Sequence, residues 1–220
     1  METSALLTAA AIIAGGYLIG GIPWSVLLAR ITGGRDPRTF GSGRTGGANA
    51  LRALGPRIAL VSGLLDLLKG TIAVLLARQL GGGPWLEVVA AGAAIVGHSR
   101  SPFLALKGGR GVSVAYGALL VFAPLVAIAT VPVFVGLVLW TGYSSVGSLA
   151  GSLVAGIGLA VITVASGGHV AYLAYAVIGA GLIWAFHLDN IQRLLAGTER
   201  KLEWRRGSSA PPSAPGSPPG

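Results

Sequence analysis

Apolar stretches, most of them long enough to cross a bilayer, recur along nearly the whole chain, with little polar sequence left between them. A membrane helix needs about 20 consecutive apolar residues. The runs lie at Ala5 to Ala29, Ile58 to Ala77, Trp85 to Val96, Val112 to Trp140, Val146 to Ala165 and Val170 to Phe186. Only 10% of the 220 residues are charged, against roughly 25% in soluble domains. So few ionisable groups cannot cover a water-facing globule, which excludes an ordinary soluble enzyme. The net charge of +9 suits anionic lipid or an anionic substrate, and the hydropathy argues against nucleic acid. The absence of Cys rules out a disulfide scaffold, thiolate metal sites and a cysteine nucleophile.

The first run lacks a basic leader and a small-residue cleavage site, so it reads as a retained first helix. The stretch from Arg30 to Arg57 reads as loop. Within the long fourth run, Pro124 offers a break that makes two shorter helices. Cytoplasmic loops are enriched in Lys and Arg. With the break there are seven crossings, starting outside, and 14 of the 16 cations fall on the cytoplasmic side with the C-terminus. Without it the C-terminal tail lands opposite the two basic loops. The expected fold is therefore an all-α integral membrane protein of seven transmembrane helices. Residues 1–206 form one membrane-embedded domain and 207–220, built of Pro, Ser, Gly and Ala, a disordered tail. Gly147 and Gly151 form a GxxxG that suits close helix packing.

Three polar clusters gather on the inferred cytoplasmic face. The first, Gly41-Ser42-Gly43-Arg44-Thr45-Gly46-Gly47-Ala48-Asn49 followed by Arg52, has the glycines of a phosphate cradle with Ser, Thr and Asn as added donors. A flexible connector has the same composition, and no Gly-Lys-Ser/Thr closes a Walker loop. The second runs from Gly97-His98-Ser99 to Lys107-Gly108-Gly109-Arg110-Gly111. Two cations bracketing two glycines before a span suit phosphate at a helix N-terminus, or else lipid head groups. The third contains His187, Asn190 and Glu199. His187 and Asn190 share a helix face, where imidazole and amide can orient and deprotonate a hydroxyl; an interfacial helix-end histidine is the plain alternative. Asp66 and Lys69 lie inside the second span, as a structural pair or with Lys69 turned to an anion. His169 receives no role. No metal-ligand spacing and no His-x4-Asp acyltransferase motif occur.

Gly21-Ile22-Pro23, GSGRTGGAN at 41–49, DLLKG at 66–70, GHSRSPFLALKGGRG at 97–111 and HLDNIQRLLAGTERK at 187–201, in this order, resemble the acyl-phosphate-dependent glycerol-3-phosphate acyltransferases of bacterial membranes, the PlsY family. The resemblance implies acyl transfer from acyl phosphate to the first hydroxyl of glycerol 3-phosphate, giving lysophosphatidic acid and inorganic phosphate. It implies a cytoplasmic-side site in the cell membrane, no cofactor and no obligate protein partner. Ser42, Arg52, Lys107, His187 and Asn190 fall on its catalytic positions. Gly41, Gly43, Thr45, Gly46, Asn49, Lys69, Gly108, Gly109, Arg110 and Gly111 would bind substrate, with Asp66 and Glu199 structural. Arg44, Ala48 and Arg110 depart from the usual Asn, Thr and Lys. A transporter of a phosphorylated metabolite is the rival reading.

Overall fold

The computed structural model describes residues 2–202. Nine α-helices occur among them: α1 (Glu2–Gly21), α2 (Trp24–Thr32), α3 (Gly47–Gln79), α4 (Gly83–Ser99), α5 (Val112–Phe122), α6 (Pro124–Thr141), α7 (Ser144–Ala165), α8 (Val170–Phe186) and α9 (Leu188–Leu195). The expected tail at 207–220 lies outside the described residues.

By length and composition α1, α3, α6 and α7 are each apolar enough to cross a membrane. The α8–α9 pair, bent by 60°, makes a fifth if taken as one broken span. Helix α4 has 17 residues and α5 only 11, so α5 extends ~16 Å, about half a hydrocarbon core. The break at Pro124 is present: Ala123 leaves the helical region, and one helix ends as the next begins.

Two expectations need correction. The Ala5-to-Ala29 run is not one helix, because Pro23 lacks the N–H that would continue the ladder; α1 ends at Gly21 and α2 starts at Trp24. The Arg30–Arg57 stretch is not all loop either. Its C-terminal part forms the first two turns of α3, bent into the long span at Gly55-Pro56, where Gly55 has φ +76°.

Lipid-sized apolar side chains point outward, among them Leu125, Trp140 and Val177, more than 70% exposed. The interior is packed with small residues such as Ala90, Ala91, Ala94 and Ala118. Without a strong hydrophobic drive between helices in lipid, close van der Waals packing must hold them, and small residues allow it. At the α3–α5 crossing a Cβ on Gly70 would run into the Val114 backbone and one on Gly117 into the Leu67 backbone. Gly147 of the GxxxG likewise abuts Phe134 and Val138 of α6.

The N-termini of α3, α5 and α7 meet the C-terminal ends of α4, α6 and α8 at one end of the bundle. The opposite end is clamped separately. There Arg78 makes two 2.9 Å hydrogen bonds to the buried Glu87, which also accepts from the Tyr172 hydroxyl. His169 caps α8 by accepting from the Ala171 N–H.

Candidate active site

Where the helix ends converge they enclose a cavity of about 260 Å³. The walls include Gly46, Gly47 and Ala48 at the start of α3, Gly111, Val112 and Ser113 at the start of α5, and Ser144 and Ser145 at the start of α7. None of these three helix starts has a side-chain cap. Their first N–H groups lack intrahelical acceptors and carry the positive end of the helix dipole, which favours an anion. Five arginines, Arg44, Arg52, Arg110, Arg193 and Arg200, line the same space against two carboxylates, Asp66 and Glu199. Both carboxylates are already engaged, so the cavity is strongly cationic.

The loop before α3 is closed by Asn49. Its amide nitrogen donates to the carbonyls of Phe40 and Arg44, each at 2.9 Å, and to the Ser42 hydroxyl at 3.2 Å. Its oxygen accepts from Arg52 at 3.0 Å. Asn49 is thus a clasp that shapes the wall and points Arg52, rather than the substrate donor expected of it. Gly41 and Gly43 supply the turn, with φ +54° and +70°. Gly41 also leaves the space that Asn49 and Arg52 occupy. Thr45 is buried outside the wall, its carbonyl accepting from Ser25. Ser42 lines the cavity and is exposed to it.

The third cluster presents two acceptors. His187, at the bend between α8 and α9, shares its Nδ1 hydrogen with the Ile183 carbonyl at 2.7 Å, so Nε2 is left with the lone pair. Burial lowers its pKa to about 4 against the favourable Ile183 carbonyl, keeping the ring neutral near pH 7. Asn190 donates through Nδ2 to Glu199 at 2.6 Å, which fixes the amide orientation because a carboxylate only accepts. Its Oδ1 is buried without a hydrogen-bond partner. A neutral imidazole nitrogen and an unpartnered amide oxygen in one cationic cavity suit a substrate that carries a hydroxyl as well as an anion. Glu199 also accepts from Ser145 at 3.1 Å and from Arg193 at 2.7 Å, tying α7, α9 and the chain after it together. Arg110 is held by the Phe186 carbonyl and by both oxygens of Asp189.

Four further expected site residues, Lys69, Lys107, Gly108 and Gly109, also sit outside the wall. Lys69 is 2% exposed. It pairs with Asp66 at 2.8 Å, donates to the Ile22 carbonyl at 2.7 Å and meets His98 Nδ1 at 3.1 Å, so it braces α3 against α4 and the Pro23 break. Gly108 and Gly109 are not an open nest. Their N–H groups bond to the Ser99 and His98 carbonyls, and a Cβ on either would strike His98. Lys107, which the resemblance puts on a catalytic position, has an exposed side chain outside the cavity wall. Arg193 and Arg200, which belong to the third sequence cluster, line the cavity, and so does Ser145, which the sequence did not single out; the Ser144-Ser145 pair opening a helix just after Gly142 is the available signal for it.

The profile of a family described as glycerol-3-phosphate acyltransferase matches residues 10–197. A glycerol-3-phosphate acyltransferase of Thermus thermophilus is 42% identical over 186 residues, covering 84% of this chain and 91% of its own length. One from Synechococcus sp. (strain CC9902) is 41% identical over 197 residues, covering 90% and 96%. The crystal structure of PlsY (YgiH), an integral membrane glycerol 3-phosphate acyltransferase, in its glycerol 3-phosphate form superposes with a TM-score of 0.79 at 32% identity, over 89% of this chain and 96% of that one. Its lysophosphatidic acid form gives 0.76 at 31%, over 88% and 94%. With most of its length inside the family profile and two curated relatives above 40% identity, the chain belongs to the PlsY family of glycerol-3-phosphate acyltransferases.

Proposed function

We propose that the chain transfers an acyl group from acyl phosphate to the first hydroxyl of glycerol 3-phosphate, yielding lysophosphatidic acid and inorganic phosphate. The observation that carries this reading is the pairing, in one cavity, of three uncapped helix N-termini and five arginines with the acceptors His187 Nε2 and Asn190 Oδ1. Two phosphate-bearing substrates need several fixed cations; the attacking hydroxyl needs an acceptor that holds its hydrogen.

Arg52, Arg110 and the helix starts hold the phosphates, and Ser42 adds a hydroxyl donor. His187 and Asn190 orient the hydroxyl toward the acyl carbonyl carbon. The new C–O bond forms as the C–O bond to phosphate breaks, and the leaving phosphate oxygen, which gains negative charge as that bond breaks, takes the hydroxyl proton. Acyl phosphate is already an activated mixed anhydride, so proximity supplies a large part of the acceleration and no acyl-enzyme is required. Lys107 is then a cation on the exposed approach.

The decisive assay gives purified protein acyl phosphate and labelled glycerol 3-phosphate. Lysophosphatidic acid and phosphate released one to one are expected. Uptake of glycerol 3-phosphate into vesicles without any acylation would establish the transporter instead.

The seven-crossing arrangement in a bacterial cytoplasmic membrane, with the N-terminus outside and the cavity on the cytoplasmic side, belongs to the same proposal. It is supported by the alternating helix ends and the cation distribution. A chain without cysteine is a clean background for labelling. A cysteine at Ser42 is expected to react with impermeant maleimide only from the inner face, and one at Gly168 only from outside. Reaction of both from one side overturns the topology.

A further inference from the structure

Asp189 does not line the cavity, yet three of the cavity's arginines converge on it. Arg110 holds it through two bonds of 2.6 and 2.9 Å, Arg193 through one of 3.2 Å, and Arg44 stands 3.8 Å away, beyond hydrogen-bond distance. Arg110 has a second acceptor in the Phe186 carbonyl, and Arg193 has the Glu199 carboxylate. Three guanidinium groups thus share two carboxylates, and Arg44 is the surplus charge. Burial, and then the like charge of Arg110, work against its cationic form. A half-buried cation with only a distant carboxylate is poised to take a better anion, because charge-assisted hydrogen bonds at guanidinium are strong and directional.

We propose that Arg44 is a phosphate ligand of the cavity and that Asp189 is its resting counter-ion, a built-in competitor that limits how tightly phosphate is held. A phosphate entering the cavity draws Arg44 from its 3.8 Å contact while Arg110 and Arg193 keep Asp189 in place. When phosphate leaves, the carboxylate takes Arg44 back. Asp189 is on this account a positioning residue for release of the inorganic phosphate product. The proposal rests on the cavity being a phosphate site, as in the proposed function, but not on any acyl transfer occurring.

The two side chains are expected to act in opposite directions, which a merely structural role for either does not produce. Binding of inorganic phosphate to the purified full-length protein in detergent is measured by titration calorimetry. Arg44→Gln is expected to weaken it about tenfold, the size of one charge-assisted hydrogen bond, and Arg44→Lys to restore part of it. Asp189→Asn is expected to tighten it about tenfold, by the same reckoning, and to lower the inhibition constant of phosphate in turnover. The asparagine leaves Arg110 on Phe186 and Arg193 on Glu199, so the fold is retained, and a thermal melt checks this. Weaker or unchanged phosphate binding in a folded Asp189→Asn protein, or unchanged binding in Arg44→Gln, overturns the proposal. Should Asp189→Asn fail to fold, the Arg44 pair of variants alone decides it. A protein that binds phosphate in this pattern but forms no lysophosphatidic acid overturns the acyl-transfer reading and leaves this one standing.

Discussion

In His187→Ala, kcat is expected to fall by about two orders of magnitude, the scale on which misplacing a reacting group acts, while the KM for glycerol 3-phosphate changes far less. The ring is 2% exposed and anchored by its Nδ1 hydrogen, so only Nε2 is available for chemistry. The phosphate-holding cations are on other elements and stay in place. Burial keeps the pKa of His187 at about 4, so its neutral, accepting form is present near neutral pH and begins to be lost only as the pH falls toward that value. Any acidic limb of the rate profile above about pH 5 is therefore expected to belong to substrate phosphate, whose second pKa lies near 6, and to persist in His187→Gln. A limb in that range that disappears in the variant would show the imidazole titrating and contradict the geometry.

Glu199→Ala is expected to be nearly as damaging, by a different route. One carboxylate, 7% exposed at its side chain, holds Asn190, Arg193 and Ser145. Removing it leaves the Arg193 guanidinium with Asp189 as its remaining carboxylate and frees the Asn190 amide to rotate. Breaking a buried ion pair costs about 3–5 kcal/mol, here discounted because Arg193 is about a quarter exposed. A fall in melting temperature together with a loss of about a hundredfold in kcat/KM is expected, the latter from the misplaced amide and guanidinium. Glu199→Gln, which can still accept from Asn190, is expected to recover more stability than Glu199→Ala. A Glu199→Ala protein with normal melting and kinetics would show that the acid is not the hub its contacts make it.

Much of this architecture is readable from the residues. The run lengths and the Pro124 punctuation locate α5 and α6, and the one-sided cations bring the three polar clusters to one end. Glycine is where the reading fails. A glycine that exposes its N–H to an anion and one that merely clears a neighbour have the same sequence appearance; Gly111 opens a helix onto the cavity, whereas Gly108 and Gly109 are pressed on His98. Lys69 shows a related limit: the Asp66 pair that the sequence leaves open is present, but what turns Lys69 away from the cavity is not legible there. Its partner is not only Asp66 at i−3 but a backbone carbonyl, Ile22, freed when Pro23 ends the ladder far back in the chain, and no local pattern encodes that contact. Asn49 shows the converse: a donor in a glycine-rich loop looks like a ligand group until its hydrogen bonds are counted and found spent within the loop.

In the proposed reaction the acyl group passes directly from phosphate to hydroxyl inside one cavity. The alternative is a serine nucleophile, with Ser42 and His187 lining the same cavity and the acyl group transferring twice. Enzyme mixed with acyl phosphate alone, quenched within a turnover and weighed intact, distinguishes them. No acyl adduct and no burst of inorganic phosphate are expected before glycerol 3-phosphate is added. A kinetically competent adduct that disappears in Ser42→Ala would contradict direct transfer.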